Sequence, residues 1–189
     1  MIQFILQLPL WQIIRSFGIV SFILLTAGVC LGILYSFPFW KGITKANMYK
    51  LHMYATIAGT GIGFVHGIIT VIDPYMPFAW SEVFIPFTAA NNPILNGLGT
   101  LALFGMLIVI LTTDLRNKLK KTLWHAIHML SYPIFALAWV HGYFLGTDTT
   151  SASVRWMYLL CAAAVLLLTA YRLMQGQMNS GRAAGAAEG

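Results

Sequence analysis

Residues 124–142, WHAIHMLSYPIFALAWVHG, form an apolar and aromatic segment that nevertheless carries three histidines. The segment is nearly long enough to cross a membrane, which takes about 20 mostly apolar residues in a helix. Ionisable side chains inside a membrane are costly, and they usually face the interior of a helical bundle and mark function. The segment therefore predicts a membrane-spanning helix with a functional group in its interior.

The composition of the whole chain supports this interpretation. Of its 189 residues, 59% are hydrophobic and 8% are charged, and the mean hydropathy is +0.77. A soluble domain would carry roughly 25% charged residues, so the composition indicates membrane lipid as the partner of the surface. The net charge of +6 does not indicate a nucleic-acid partner, because the basic residues lie in short segments between apolar runs.

Five apolar runs predict an all-α integral membrane bundle of about five transmembrane helices. The runs are too long and unbroken for barrel strands, and lipid otherwise admits only helices. We expect an N-terminal interfacial segment at 1–10, a transmembrane domain at 11–174 and a disordered tail at 175–189. The predicted spans are 11–37, 49–72, 93–113, 123–145 and 153–173.

The basic residues predict the orientation of the bundle. Nine of the 11 lie on one side, in the first and third connections and after the last run. By the positive-inside rule, we expect a multi-pass cell-membrane protein with its N-terminus outside and its C-terminus in the cytoplasm. The second connection, 73–92, is the only long one. It is interpreted either as a folded cap at the outer surface or as a loop on lipid headgroups.

All five histidines lie in the second and fourth runs. Fourteen residues separate His52 from His66, and thirteen separate His128 from His141. At ~1.5 Å per residue these separations are about 21 and 20 Å, which fit within a hydrocarbon core of ~30 Å. Both runs cross in the same direction. His52 is therefore expected level with His128 near the inner face, and His66 level with His141 near the outer face.

Two histidines that face each other can ligate one haem iron axially, so two pairs predict two haem b groups. A zinc site would need a tetrahedral cluster with thiolates or carboxylates, which neither level offers. On an ideal helix, His52 and His66 lie about 40° apart, whereas His128 and His141 lie about 140° apart. The second pair of ligands therefore requires a bend at Pro133.

Two further side chains are candidates for binding the cofactor. Arg15 either reaches lipid headgroups or neutralises a propionate of the outer haem. His125, one turn before His128, either bonds a propionate or a backbone carbonyl, or replaces His128 as the ligand. Glycines also surround His66, and they favour either close approach of a macrocycle or helix packing through small residues. They are Gly59, Gly61, Gly63 and Gly67.

The paired histidines, framed by WHAIHMLSY and HG, together with RSFG at 15–18, resemble the ferric reductase-like transmembrane domain family. That family includes the membrane domains of ferric reductases and NADPH oxidases, and the haem subunit of the periplasmic methionine sulfoxide reductase system. The resemblance covers roughly residues 11–171. It implies a b-type cytochrome in which His52 and His128 ligate the inner haem and His66 and His141 the outer one.

The expected function is transmembrane electron transfer, as the membrane subunit of an oxidoreductase. No GxGxxG motif follows a strand, so the donor is expected to be a cytoplasmic flavoprotein reductase or a quinol. The acceptor at the outer face stays open. The basic connection 116–121 either docks an acidic reductase or only sets topology. The alternatives are a histidine-dependent proton or metal transporter and a structural subunit whose histidines only pack.

Overall fold

A computed structural model describes residues 9–74 and 76–185, and every regular element in this part of the chain is a helix. Five helical stretches are long and apolar enough to cross a membrane, as the sequence predicts. The α-helices are α1 (Leu10–Tyr35), α2 (Gly42–Ile72), α3 (Trp80–Phe84), α4 (Pro93–Asp114), α5 (Lys121–Met129), α6 (Ser131–Leu145) and α7 (Ala152–Gly185), and a 3₁₀ helix spans Thr147–Thr150. Helices α5 and α6 together form the fourth stretch.

Two helices are longer than the sequence predicts. Helix α2 begins at Gly42 rather than at residue 49, and α7 continues to Gly185 rather than ending at 173. The helix therefore occupies most of the expected disordered tail, 175–189, where Met, Gln, Arg and Ala are all good helix formers. Residues 1–8 of the expected interfacial segment, 1–10, lie outside the described residues, and so do residues 186–189.

Helix α1 is central and packs against α2, α6 and α7. The ring of Phe22 stacks on Phe135 at a centroid distance of 5.6 Å and lies 4.6 Å from the ring of Tyr158. On the other side, Gly59 of α2 lies so close to α1 that an added Cβ would be 3.1 Å from the backbone nitrogen of Leu25. Small-residue packing therefore brings α1 and α2 together.

The fourth span is interrupted at Leu130, between α5 and α6. Its N–H group donates to the carbonyl oxygen of Ile127 (3.0 Å), which forms a tighter turn than the α-helix has. The cause is Pro133. It has no N–H group for the carbonyl of Met129, four residues earlier, and its ring crowds that carbonyl. The helix is therefore interrupted three residues before the proline, in the region where the sequence predicts a bend.

The long connection between α2 and α4 is a folded cap, which we define as residues 73–92. It contains α3, and the Glu82 carboxylate accepts backbone hydrogen bonds from Ala90 (2.6 Å) and Ala79 (2.7 Å). These two bonds hold the pKa of Glu82 below its ordinary value. The cap ends at Asn92, whose left-handed backbone precedes Pro93 at the start of α4.

Candidate functional site

Four histidines form two facing pairs inside the bundle. We call the pair His52–His128 the first level and the pair His66–His141 the second level. The ring centroids are 6.2 Å apart at the first level, and the planes are inclined by 69°. At the second level they are 6.4 Å apart and inclined by 81°. The break at Leu130 thus lets both histidines of the fourth span face α2.

The separation within each pair suits a metal ion between the rings. A metal–imidazole bond is about 2.0–2.1 Å, and the ring centre lies about 1.1 Å behind the nitrogen, so two axial imidazoles have centroids about 6.3 Å apart. The two measured separations, 6.2 and 6.4 Å, lie on either side of this value. Edge-to-face packing of two rings covers the same range, about 4.5–7 Å between centroids, so the separation fits both arrangements. Each pair supplies two ligands, so the remaining positions on a metal would need another donor.

Hydrogen bonds orient three of the four rings. The Nδ1–H group of His52 donates to the carbonyl of Gly28 (2.7 Å). His66 donates to Ile14 and His141 to Leu95, each at 2.8 Å. Because a carbonyl oxygen only accepts, Nδ1 must carry the proton, and Nε2 keeps its lone pair for a metal. A ligating histidine almost always donates its second nitrogen in this way.

His128 differs from the other three. Its Nδ1 atom is buried and has no hydrogen-bond partner in the described part of the chain. The neighbouring Trp124 stacks on its ring at 5.4 Å and 27°. The Nε1 atom of Trp124 is also buried without a partner among the described residues. The ring of His128 is therefore oriented by stacking on Trp124 rather than by a hydrogen bond.

A cavity of about 390 Å³ opens beside the second level. Its volume lies in the range of small-molecule and cofactor sites, about 300–1,000 Å³. Residues of the cap line it together with those of the helices, so the cap covers one end of the site. The lining includes His66, His141, Thr60, Phe78, Glu82 and Val83.

Arg15 and Asp148 also line this cavity and form an ion pair. The Nε–H group of Arg15 donates to Oδ2 of Asp148 (2.7 Å), and a second bond joins the same side chains. Sequence reasoning placed Arg15 among headgroups or beside a propionate and did not pair it with Asp148. The two residues are separated by 133 positions in the chain, and no sequence pattern indicates the contact.

His125 lies outside both pairs. Its side chain is exposed and its ring lies 6.2 Å from the ring of Trp124. It lines a second cavity with Arg172 and with Tyr132, whose hydroxyl accepts a bond from Arg172 (3.0 Å). The structure therefore brings His128, and not His125, opposite His52.

Of the four glycines expected around His66, Gly63 and Gly67 line the cavity at the second level, and Gly59 packs against α1. An added Cβ at Gly61 would meet nothing within 4 Å, and one at Gly63 would lie 2.9 Å from the Ser21 hydroxyl. The glycines that touch the imidazoles lie on the neighbouring helices: Gly18, Gly32 and Gly99.

The pairs do not belong to larger ligand clusters. Within residues 9–74 and 76–185, no group of three or more His, Cys, Asp or Glu side chains is placed to hold a metal ion. Comparison of the chain with protein-family models, with curated proteins and with solved structures gives no match.

Proposed function

We propose that this chain is the membrane subunit of an oxidoreductase and carries electrons across the membrane through two b-type haems, one at each level. The observation that carries the proposal is the ring separation of 6.2 and 6.4 Å, repeated at two depths. A porphyrin supplies the four equatorial nitrogens that a pair of histidines lacks. When bound, the haems would supply one-electron redox chemistry, while the protein sets ligands, spacing and burial.

The role of the histidines follows from their tautomers. Nδ1–H donation by His52, His66 and His141 selects the tautomer that leaves Nε2 to bind iron, and it raises the basicity of the ligand. His128 is the proposed second ligand of the first level, because it faces His52. Haem ligation by His125 is not part of the proposal.

Electrons are proposed to enter at the first level. That level lies toward the lysine-rich connections, which the positive-inside rule assigns to the cytoplasm. A cytoplasmic flavoprotein with an acidic face could dock on residues 116–121, or a membrane quinol could serve as donor. The acceptor is proposed to approach the second level, where the cavity opens. A propionate of the haem there would share Arg15 with Asp148.

A reduced-minus-oxidised visible spectrum of the purified chain, with haem quantified, tests the proposal. We expect a b-type spectrum and two haems per chain. His66→Ala and His141→Ala are each expected to remove one haem. A colourless protein after expression with ample haem would contradict the proposal and favour the transporter. Full haem content in both alanine variants would contradict the assignment of the second level.

A further inference from the structure

Three of the histidine rings make the same two contacts with a neighbouring helix. Each ring donates a hydrogen bond to a backbone carbonyl and packs against a glycine. In each case the carbonyl that accepts the Nδ1–H bond belongs to the residue four positions before that glycine. The carbonyl and glycine partners are Ile14 and Gly18 for His66, Gly28 and Gly32 for His52, and Leu95 and Gly99 for His141.

Helix geometry explains this spacing. The carbonyl of residue i already accepts the N–H group of residue i+4, and only its second lone pair is open to a side chain. The Cα–Cβ bond of residue i+4 tilts toward the N-terminus and so lies over that carbonyl. A glycine at i+4 leaves the oxygen uncovered, and an imidazole can reach it from the neighbouring helix.

The space left for a side chain differs among the three positions. An added Cβ would lie 3.2 Å from the nearest ring atom of His66 at Gly18, and 3.1 Å from that of His52 at Gly32. At Gly99 it would lie 2.6 Å from the ring of His141, so that ring would have to move. Gly61 provides a matched control, because its added Cβ would meet nothing within 4 Å.

We infer that Gly18, Gly32 and Gly99 are positioning residues. Each uncovers one carbonyl that fixes the tautomer and the rotation of a facing histidine ring. The positioning of the rings does not depend on the proposed function. Its consequence, the orientation of axial ligands on haem iron, rests on that function.

The fourth histidine, His128, has no glycine at the corresponding position of α4. On α1, fourteen positions separate Gly18 from Gly32. The same interval after Gly99 on α4 leads to Thr113. Its hydroxyl donates to the carbonyl of Val109, four residues earlier, at 2.7 Å. The side chain of Thr113 thus occupies the carbonyl of Val109 that a glycine would leave uncovered. His128 is correspondingly the histidine whose Nδ1 lacks a partner within the described residues.

The test compares Gly99→Ala, Gly18→Ala and Gly61→Ala with the unchanged full-length chain. Nitrogen NMR of ¹⁵N-histidine in the haem-free protein reports which ring nitrogen carries the proton. We expect three Nδ1–H rings in the unchanged chain and in Gly61→Ala, and two in Gly99→Ala. Gly18→Ala is expected to keep three, with a shifted signal from His66, because its ring needs to move only by tenths of an ångström.

Haem content and the electron paramagnetic resonance spectrum of the loaded protein provide the second readout. Gly99→Ala is expected to lose one haem of two, and Gly18→Ala to keep both with altered low-spin g values. An unchanged Nδ1–H count in Gly99→Ala would overturn the inference even if the protein binds two haems. A chain that binds no haem when haem is supplied in excess, and still shows the three Nδ1–H rings, would overturn the proposed function and leave the inference standing. Should Gly99→Ala fail to fold, an unshifted His66 signal in Gly18→Ala would overturn the inference.

Discussion

His125 and His128 lie one helical turn apart, and their surroundings differ. His128 faces His52 with a ring separation of 6.2 Å, whereas His125 is exposed beside Arg172 at the edge of the second cavity. We expect His128→Ala to remove one of two haems and His125→Ala to retain both. Haem quantification of the two purified variants measures this. Loss of a haem in His125→Ala with retention in His128→Ala would reverse the assignment.

Glu82 makes the cap sensitive to acid. Its pKa is lowered by hydrogen bonds from the N–H groups of Ala90 and Ala79, in that order. A lowered pKa in the folded state contributes stability above the unfolded value near 4.5, and this stability is lost as the pH falls through the folded value. The protection factors of the Ala79 and Ala90 amides, which correct for the intrinsic pH dependence of hydrogen exchange, are therefore expected to fall below pH 4.5.

Glu82→Gln is the control for this pH dependence. The amide keeps one acceptor oxygen and does not titrate, so the protection factors of Ala79 and Ala90 should be lower at neutral pH and should not change as the pH falls. A variant that still loses protection in the same acid range would show that another group controls the cap.

The sequence predicted the two histidine pairs more fully than their hydrogen-bond partners. His52, His66, His128 and His141 are rare ionisable groups in apolar runs, so type and spacing alone single them out. Their Nδ1 partners are backbone carbonyls, which every residue has. A glycine four residues later uncovers a carbonyl, but whether that carbonyl meets a histidine depends on the axial register of the two helices. No pattern within one helix encodes that register.

The break between α5 and α6 gives a prediction about a whole element. Pro133→Ala restores an N–H group that can bond the carbonyl of Met129, so the span is expected to become a continuous helix. On such a helix His128 and His141 lie about 140° apart and no longer face α2 together. We expect loss of at least one haem, with a melting temperature of the haem-free protein equal to or above that of the unchanged chain.

Pro93→Ala is a matched control for that experiment. Pro93 lies at the start of α4, where its missing N–H group leaves no carbonyl without a partner. Its replacement should leave haem content unchanged. Full haem content in Pro133→Ala would show that packing, rather than the proline, maintains the break.

At the scale of the bundle, the distribution of lysine and arginine predicts which end faces the cytoplasm. In a chain with Cys30 and Cys161 replaced by serine, Thr150→Cys should react with a membrane-impermeant maleimide on intact cells. Lys118→Cys should react only after the cells are opened, since both side chains are exposed but at opposite ends. The reverse pattern of labelling would contradict the proposed direction of electron flow.

The number of spans was predictable because apolar length and the scarcity of charge decide it, and the five predicted spans are confirmed. The end of α7 was not predictable in this way, because the polar segment after residue 173 lacks the apolar pattern on which the prediction of spans relies. The ion pair of Arg15 with Asp148 joins α1 to the turn before α7, and only the assembled bundle brings the two side chains together.

The antiparallel pair α1–α2 repeats one contact at two heights. Fourteen residues separate Gly18 from Gly32 on α1, and fourteen separate His52 from His66 on α2. Fourteen residues are close to four helical turns, so the contact returns to nearly the same face after each interval. The pair is therefore modular in principle. Lengthening both helices by fourteen residues, with a glycine on α1 and a histidine on α2 in phase, would create a third glycine–imidazole contact. The three contacts together would extend beyond one bilayer thickness.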